Sequence, residues 1–168
     1  MSTSQGIPFF DLHAQRRRLQ PALDQRIKQV LEHGAFIMGP EVAELEAALQ
    51  TFCGARHCVT CANGTDALTL ALMAYGIGPG DAVVVPAFTF AATAEAVAIL
   101  GATPVFCDVD ADSFNRSPAS LVEALALAKT HALIPRAVIP ADLFGQPAKY
   151  PEIQEIADSA NIVVIADA

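Results

Sequence analysis

A short polar turn, Asn63-Gly64-Thr65-Asp66, stands between an apolar run and a segment with the composition of a helix. If this turn lies at a helix N-terminus, free backbone N–H groups and the positive end of the helix dipole converge there. Gly64 would let the backbone approach a ligand closely, and Thr65 adds a hydroxyl donor. The turn therefore has the chemistry to bind a phosphate group. An ordinary helix cap, in which Asn63 or Thr65 serves only the chain, explains the isolated turn at least as well.

The segments around this turn alternate between strand-like and helix-like patterns from residue 56 onward. Strands are predicted at 58–61, 82–85, 104–107, 137–139 and 162–165. Helices are predicted at 65–75, 91–100, 118–128 and 151–160. Because the strands are apolar on both faces, this alternation predicts an α/β fold with a mostly parallel sheet covered by helices. Ligands bind such sheets at the carboxyl ends of the strands.

The first part of the chain has a different, helical pattern. We predict two domains, an N-terminal helical segment over residues 1–55 and an α/β domain over residues 56–168. One helix is predicted to begin at Pro21 and end at Gly34, and another to begin at Pro40 and end near Gly54. The apolar connection between them, which includes Phe36 and Met38, is expected to be exposed and to contact a substrate or partner. A simple buried loop is the alternative.

Several polar and aromatic residues follow the other predicted strands. Phe88 and Phe90 follow the second strand, Asp108 and Asp110 the third, and Asp167 the fifth. A planar anionic cofactor could be held by a phosphate-binding turn, a stacking aromatic ring and an acid that pairs with a protonated ring nitrogen. Core packing of the two phenylalanines and turn capping by Asp108 and Asp110 are the alternatives.

The composition excludes several classes of protein. The chain has 10 Lys and Arg against 18 Asp and Glu, a net charge of -8, so the clustered cations that nucleic acid requires are missing. The sequence has no apolar run long enough for a bilayer and no pattern of a signal peptide, which predicts a cytoplasmic protein without a membrane partner.

Cys58 and Cys61 form a C-x-x-C motif, but positions three apart on a strand face opposite sides. We therefore predict buried structural cysteines and no metal site.

Taken in chain order, the motifs resemble the DegT–StrS family of pyridoxal-phosphate (PLP) dependent sugar aminotransferases. The resemblance covers nearly the whole chain and is carried by residues 8–12, 34–42, 63–68, 78–81, 86–94, 108–110, 143–147 and 165–168. It implies the large domain of the type I aminotransferase fold, incomplete at the C-terminus. It also implies a homodimer in which the two subunits share the active site.

The resemblance gives roles to individual residues. It implies that Gly64 and Thr65, with Asn63 in the same turn, bind the PLP phosphate, that Phe90 covers the PLP ring, and that Asp167 pairs with the pyridinium nitrogen. Phe36 and Met38 would lie on the substrate side. The implied reaction moves an amino group, usually from glutamate, to a nucleotide-linked keto sugar. Within the family the motifs resemble most the enzymes that aminate the 3-oxo form of UDP-N-acetylglucosaminuronic acid for surface polysaccharide synthesis.

The chain departs from the family pattern at its end. The family has a Gln or His two residues after the position of Asp167 and, further along, the lysine that forms a Schiff base with PLP, and neither position is present. Lys28, Lys129 and Lys149 are expected in surface segments and not as substitutes. A catalytic residue is thus not predicted in this chain, which we expect to be inactive alone. The alternatives are a non-catalytic cofactor-binding or dimerisation module, and a PLP-dependent sugar dehydratase with histidine in place of lysine.

Overall fold

The computed structural model describes residues 9–168, so Pro8 of the first motif and the rest of residues 1–8 lie outside it. The described chain divides into two compact units, one ending at Thr60 and the other beginning at Cys61. The helices are α1 (Leu12–Leu19), α2 (Ala22–His33), α3 (Pro40–Cys53), α4 (Gly64–Ala74), α5 (Ala92–Ile99), α6 (Pro118–Thr130) and α7 (Tyr150–Ala160). The strands are β1 (Asp81–Pro86), β2 (Thr103–Cys107), β3 (Ile134–Val138) and β4 (Val163–Val164). None of these helices is both long and apolar enough to cross a membrane.

The first unit contains α1, α2 and α3, and the two longer helices begin and end where the sequence predicts. Helix α2 follows Pro21 and ends at Gly34, which has a left-handed φ of 68°. Helix α3 has Pro40 in its first turn and ends at Gly54, with φ 65°. Left-handed glycine after the last turn is a common way to satisfy terminal carbonyl groups, so Gly34 and Gly54 act as helix stops. No side chain of these three helices is buried.

The second unit is built on a four-stranded parallel sheet with the strand order β2-β1-β3-β4. The predicted α/β class with a parallel sheet is confirmed. Strand β1 lies between two neighbours, and Val83, Val84 and Val85 have no exposed surface. Alternate residues of this strand point to opposite faces. Val83 and Val85 accordingly pack in one core cluster with α4 and α5, and Val84 packs in another with α6 and α7.

The predicted strand at 58–61 is wrong. These residues have no regular structure, and Val59 is 83% exposed. A strand needs a neighbour for its backbone N–H groups, whereas the Thr60 N–H and hydroxyl donate to the Glu46 carboxylate at 2.8 and 2.9 Å. Donation from Thr60 in turn lowers the pKa of Glu46. A side-chain acceptor thus takes the place that a sheet partner would occupy.

The prediction of buried cysteines fails with that strand. Cys53 and Cys61 are exposed and Cys58 is half-buried, and each is a free thiol. Only Cys107, on β2, is buried among the described cysteines, and burial raises its pKa to about 11. The described residues contain no cluster of ligands that could hold a metal ion.

The core can be tested with two leucines of α6. Leu121 has no exposed surface, whereas Leu127 is 50% exposed. We expect Leu121→Ala to lower the free energy of unfolding by about 2–5 kcal/mol, because it removes buried methyl groups and leaves a cavity. Leu127→Ala is the matched control and should cost less than about 1 kcal/mol. Denaturant unfolding measures both, and equal losses would contradict the placement of α6 against the sheet.

Candidate functional site

The polar turn at residues 63–66 forms the N-terminus of α4. Asn63 caps the helix, since its Oδ1 accepts from the Asp66 N–H at 2.9 Å and its Nδ2 donates to the Asp66 carboxylate at 3.1 Å. The Asn63 side chain is therefore engaged by the chain itself. The N–H groups of Gly64 and Thr65, and the Thr65 hydroxyl, donate no hydrogen bond to the described residues. Three donors at the positive end of a helix dipole thus remain for an anion.

Gly64 leaves open space above these donors. A Cβ built at this position would meet no atom within 4 Å, and the φ of Gly64 is not left-handed. Neither packing nor backbone conformation therefore requires glycine here. The space that a side chain would fill is available to a ligand that approaches the free N–H groups, as the phosphate interpretation of the turn requires.

Asp167 lies at the carboxyl edge of the sheet, just beyond β4. Its backbone pairs with Ala141 in a parallel bridge, and its Oδ2 accepts a hydrogen bond of 2.7 Å from the Thr93 hydroxyl. Thr93 is fully buried in the first turn of α5 and also contacts the Thr89 hydroxyl at 3.2 Å. The other oxygen of Asp167, Oδ1, accepts no hydrogen bond from residues 9–168. One carboxylate oxygen is thus held by the protein and the other is available to a donor outside it.

Phe90 lies in the turn that leads into α5. Its side chain is 78% exposed, and its carbonyl accepts from the Thr93 N–H at 3.2 Å. The Phe90 backbone therefore binds Thr93, the same residue whose hydroxyl donates to Asp167. The alternative in which Phe88 and Phe90 pack in the core is wrong, because the chain bends after β1 and leaves both rings exposed. Phe90 has the exposure that a stacking ring needs.

Phe88 contacts two other rings instead. Its centroid lies 5.9 Å from that of Phe114 and 6.5 Å from that of Phe144, and the last two lie 6.1 Å apart. These three rings follow β1, β2 and β3 respectively, so they confirm that the strand ends converge at one edge of the sheet. Phe114 and Phe144 both have left-handed φ values of 58°, which is unusual for a bulky residue.

The two aspartates after β2 serve the chain. The Asp108 carboxylate accepts from the Val109 N–H at 2.8 Å, as in a turn. Asp110 forms an ion pair of 2.7 Å with Lys149, which lowers the pKa of Asp110 and raises that of Lys149. The alternative of structural roles for both aspartates is therefore supported. The ion pair also gives Lys149 an acidic partner, in agreement with the surface role expected of this lysine.

The residues after β3 are fixed by Asn115, which the sequence reasoning missed. Asn115 is 3% exposed, and its amide donates to the carbonyls of Gln146 and Pro147 at 2.8 and 3.2 Å. Its Oδ1 accepts from the Leu143 N–H at 3.2 Å. No periodic pattern marks a residue of this kind, because its role depends on a loop 28 residues away. Thr93 was also missed, although a hydroxyl in the alanine-rich segment 91–98 was a visible signal.

Phe36 and Met38 belong to the first unit, in the connection between α2 and α3. They are 67% and 73% exposed, so the predicted exposure of this connection is confirmed. Met38 has a left-handed φ of 51°. A role of these side chains toward a substrate stays a prediction.

The comparison with known proteins agrees with this geometry. Residues 18–168 match the DegT/DnrJ/EryC1/StrS aminotransferase family. The chain belongs to this family. Over 162 residues it is 48% identical to UDP-2-acetamido-2-deoxy-3-oxo-D-glucuronate aminotransferase of Pseudomonas aeruginosa, covering 96% of this chain and 44% of that protein. The resemblance predicted from the motifs is confirmed.

Two solved structures of related proteins have the same fold. A crystal structure of a family member from Brucella abortus has a TM-score of 0.94 and 51% identity, covering 96% of this chain and 44% of that one. The structure of NtdA from Bacillus subtilis with bound cofactor PMP has a TM-score of 0.78 and 32% identity, covering 84% of this chain and 31% of that one. The chain therefore spans less than half the length of the relatives that it matches.

The hydrogen bonds between Asn115 and the 143–147 loop can be tested by substitution. Asn115→Ala removes three hydrogen bonds, so the Leu143 N–H loses its acceptor and the Gln146 and Pro147 carbonyls lose their donor. We expect a loss of about 2–4 kcal/mol in the free energy of unfolding and faster amide exchange at 143–146. Ser113→Ala, which removes only a 3.3 Å bond to the Asn115 N–H, is the control and should have a small effect. Slow exchange at 143–146 in Asn115→Ala would show that the loop is held by other contacts.

Proposed function

We propose that this chain forms the cofactor-binding part of a PLP-dependent aminotransferase that moves an amino group from glutamate to a nucleotide-linked keto sugar. The observation that carries the proposal is the arrangement of Asp167, whose Oδ2 is held by Thr93 while Oδ1 is available. The same unit carries free donors at the N-terminus of α4. A ring nitrogen and a phosphate are the groups that these two features would bind.

The residues present fit PLP. Gly64 and Thr65 would bind the phosphate through the free N–H groups and the hydroxyl of α4, with open space above Gly64 to admit it. Phe90 would cover one face of the ring. The Asp167 carboxylate would hold a proton on the ring nitrogen, because its negative charge favours the cationic form of its partner. PLP, when bound, supplies the electron sink on which transamination depends.

The proposed class of substrate is supported by the name of a similar protein. The relative from Pseudomonas aeruginosa is named for a UDP-linked 3-oxo sugar acid. We propose the same class of substrate for this protein, the 3-oxo form of UDP-N-acetylglucosaminuronic acid, in the synthesis of a surface polysaccharide. The exposed side chains of Phe36 and Met38 are proposed to contact it. We also propose a homodimer, to which the exposed apolar side chains of α2 are suited: Leu23, Ile27 and Leu31.

The 168 residues alone are proposed to bind cofactor without turnover. Lys149 is engaged by Asp110, Lys28 pairs with Glu32 in the first unit, and Lys129 lies in the last turn of α6. A Schiff-base lysine must lose its proton to react, and the hydrogen bond to Asp110 raises the pKa of Lys149, which opposes that loss. Transamination by residues 1–168, when supplied with PLP, glutamate and the keto sugar, would contradict this part of the proposal.

Cofactor binding tests the proposal directly. Purified protein is titrated with PLP, and binding is followed by equilibrium dialysis and by the change in PLP absorbance. We expect saturable, stoichiometric binding that inorganic phosphate competes for. Binding that does not saturate, or that phosphate leaves unaffected, would contradict a PLP site built on α4.

The phosphate position predicts the effect of one methyl group. Gly64→Ala should weaken PLP binding by about tenfold or more, since the new Cβ enters the space above the free N–H groups. Stability should be unchanged or slightly higher, because alanine favours a helix by up to about 1 kcal/mol and the Cβ meets no atom. Gly78→Ala, whose Cβ would lie 3.8 Å from the Leu100 carbonyl oxygen, is the matched control. Equal PLP affinity in both variants would place the phosphate elsewhere.

A further inference from the structure

The backbone of Asp167 is held by the segment that follows β3. The Asp167 N–H donates to the Pro140 carbonyl at 2.9 Å, and the Asp167 carbonyl accepts from the Asp142 N–H at 2.8 Å. These two bonds fix the peptide groups on both sides of the Asp167 Cα. The position of the Asp142 backbone therefore determines where the Asp167 side chain begins.

Asp142 is itself held through its side chain. One oxygen, Oδ1, accepts from the Ala148 N–H at 2.9 Å and from the Tyr150 hydroxyl at 2.8 Å. The loop from 142 to 150 is thus closed on a single carboxylate oxygen. Hydrogen bonds to a charged acceptor are stronger than those between neutral groups. Burial and the neighbouring Asp142 raise the pKa of Tyr150, so its hydroxyl keeps the proton that it donates.

Arg116 adds a buried positive charge to this region. It is 1% exposed, and its guanidinium makes no hydrogen bond to the described residues. The charge of Arg116 lowers the pKa of Tyr150, while the charges of Asp142 and Asp167 raise it. The Tyr150 hydroxyl therefore donates to one carboxylate and is influenced by the charges of Arg116 and Asp167. A buried cation is costly without compensation, and burial accordingly lowers the pKa of Arg116.

We propose that Asp142 and Tyr150 are positioning residues for Asp167. The Tyr150 hydroxyl orients the Asp142 carboxylate, Asp142 fixes the backbone of Asp167, and Thr93 then sets the direction of the Asp167 side chain. The free Oδ1 of Asp167 is thereby presented toward the ring nitrogen of the cofactor. The identity of that ring rests on the proposed function, whereas the coupling from Tyr150 to Asp167 does not.

The coupling is tested first without cofactor. Tyr150→Phe removes only the hydroxyl, and we expect amide exchange at Asp142 and Asp167 to become about tenfold faster, as befits the loss of one hydrogen bond. Tyr75→Phe is the matched control, because Tyr75 is 52% exposed at the end of α4 and its hydroxyl makes no hydrogen bond to described residues. Exchange in β1 should be unchanged in both variants, which shows that the fold is intact. Asp142→Asn, which keeps an oxygen acceptor, should have an intermediate effect.

The effect on the cofactor is measured next, by PLP affinity. Tyr150→Phe should weaken PLP binding by about three- to tenfold relative to Tyr75→Phe, because Asp167 is less well ordered. Unchanged exchange at Asp142 and Asp167 in Tyr150→Phe would overturn the coupling, whatever the cofactor. Faster exchange with unchanged PLP affinity would overturn the positioning role while leaving the proposed function intact. If the wild-type protein binds no PLP, the proposed function fails and the positioning of Asp167 toward that ring fails with it.

Discussion

The parallel pairing of β1 with strands on both sides is the constraint on which the site depends. Val83, Val84 and Val85 are buried on both faces, so the register of this strand is fixed by packing as well as by hydrogen bonds. A shift by one residue would exchange the faces of all three valines. Because the strands are parallel, their carboxyl ends meet at one edge, where the rings after β1, β2 and β3 touch one another. Asp167 joins that edge through its bridge to Ala141.

The net charge of the chain bears on the proposed phosphate site. With a net charge of -8, these 168 residues do not by themselves attract an anionic cofactor or a nucleotide sugar. Among the described cations, Lys149 is engaged by Asp110 and Arg116 is buried beneath the surface. The N–H groups at the start of α4 require no net positive charge to bind a phosphate. The proposed phosphate site is therefore compatible with an acidic chain.

Local signals in the sequence were sufficient for most elements of the fold. Pro40 and Gly54 mark the ends of α3 through backbone conformations that depend only on neighbouring residues. The apolar runs 82–85 and 137–139 likewise predict buried parallel strands from their own residues, and β1 and β3 overlap these runs. The segment 58–61 has an equally apolar pattern, yet no described strand pairs with it, and Thr60 binds Glu46 instead. A strand depends on a distant partner, which its own pattern does not reveal.

Residues of the candidate site were singled out where residue type limits the chemistry and were missed where distant contacts position them. Asp167 and the turn at Asn63 could be singled out because acids and glycine-containing turns have few roles at strand ends. Thr93 acts on a residue 74 positions away, and Asn115 acts on a loop 28 positions away. Asp142 and Tyr150 act through a hydrogen bond that only the folded loop creates. Hydrogen bonds of this kind follow from the tertiary structure and leave no local pattern.

In the proposed site, the Asp167 carboxylate holds a proton on the ring nitrogen of PLP. The most direct measurement is the ¹⁵N chemical shift of PLP labelled at that nitrogen and bound to the protein. A protonated nitrogen is predicted in the wild-type protein and an unprotonated one in Asp167→Asn, because the amide has no negative charge to stabilise the cation. An unprotonated ring nitrogen in the wild-type protein, or the same shift in both proteins, would contradict the account.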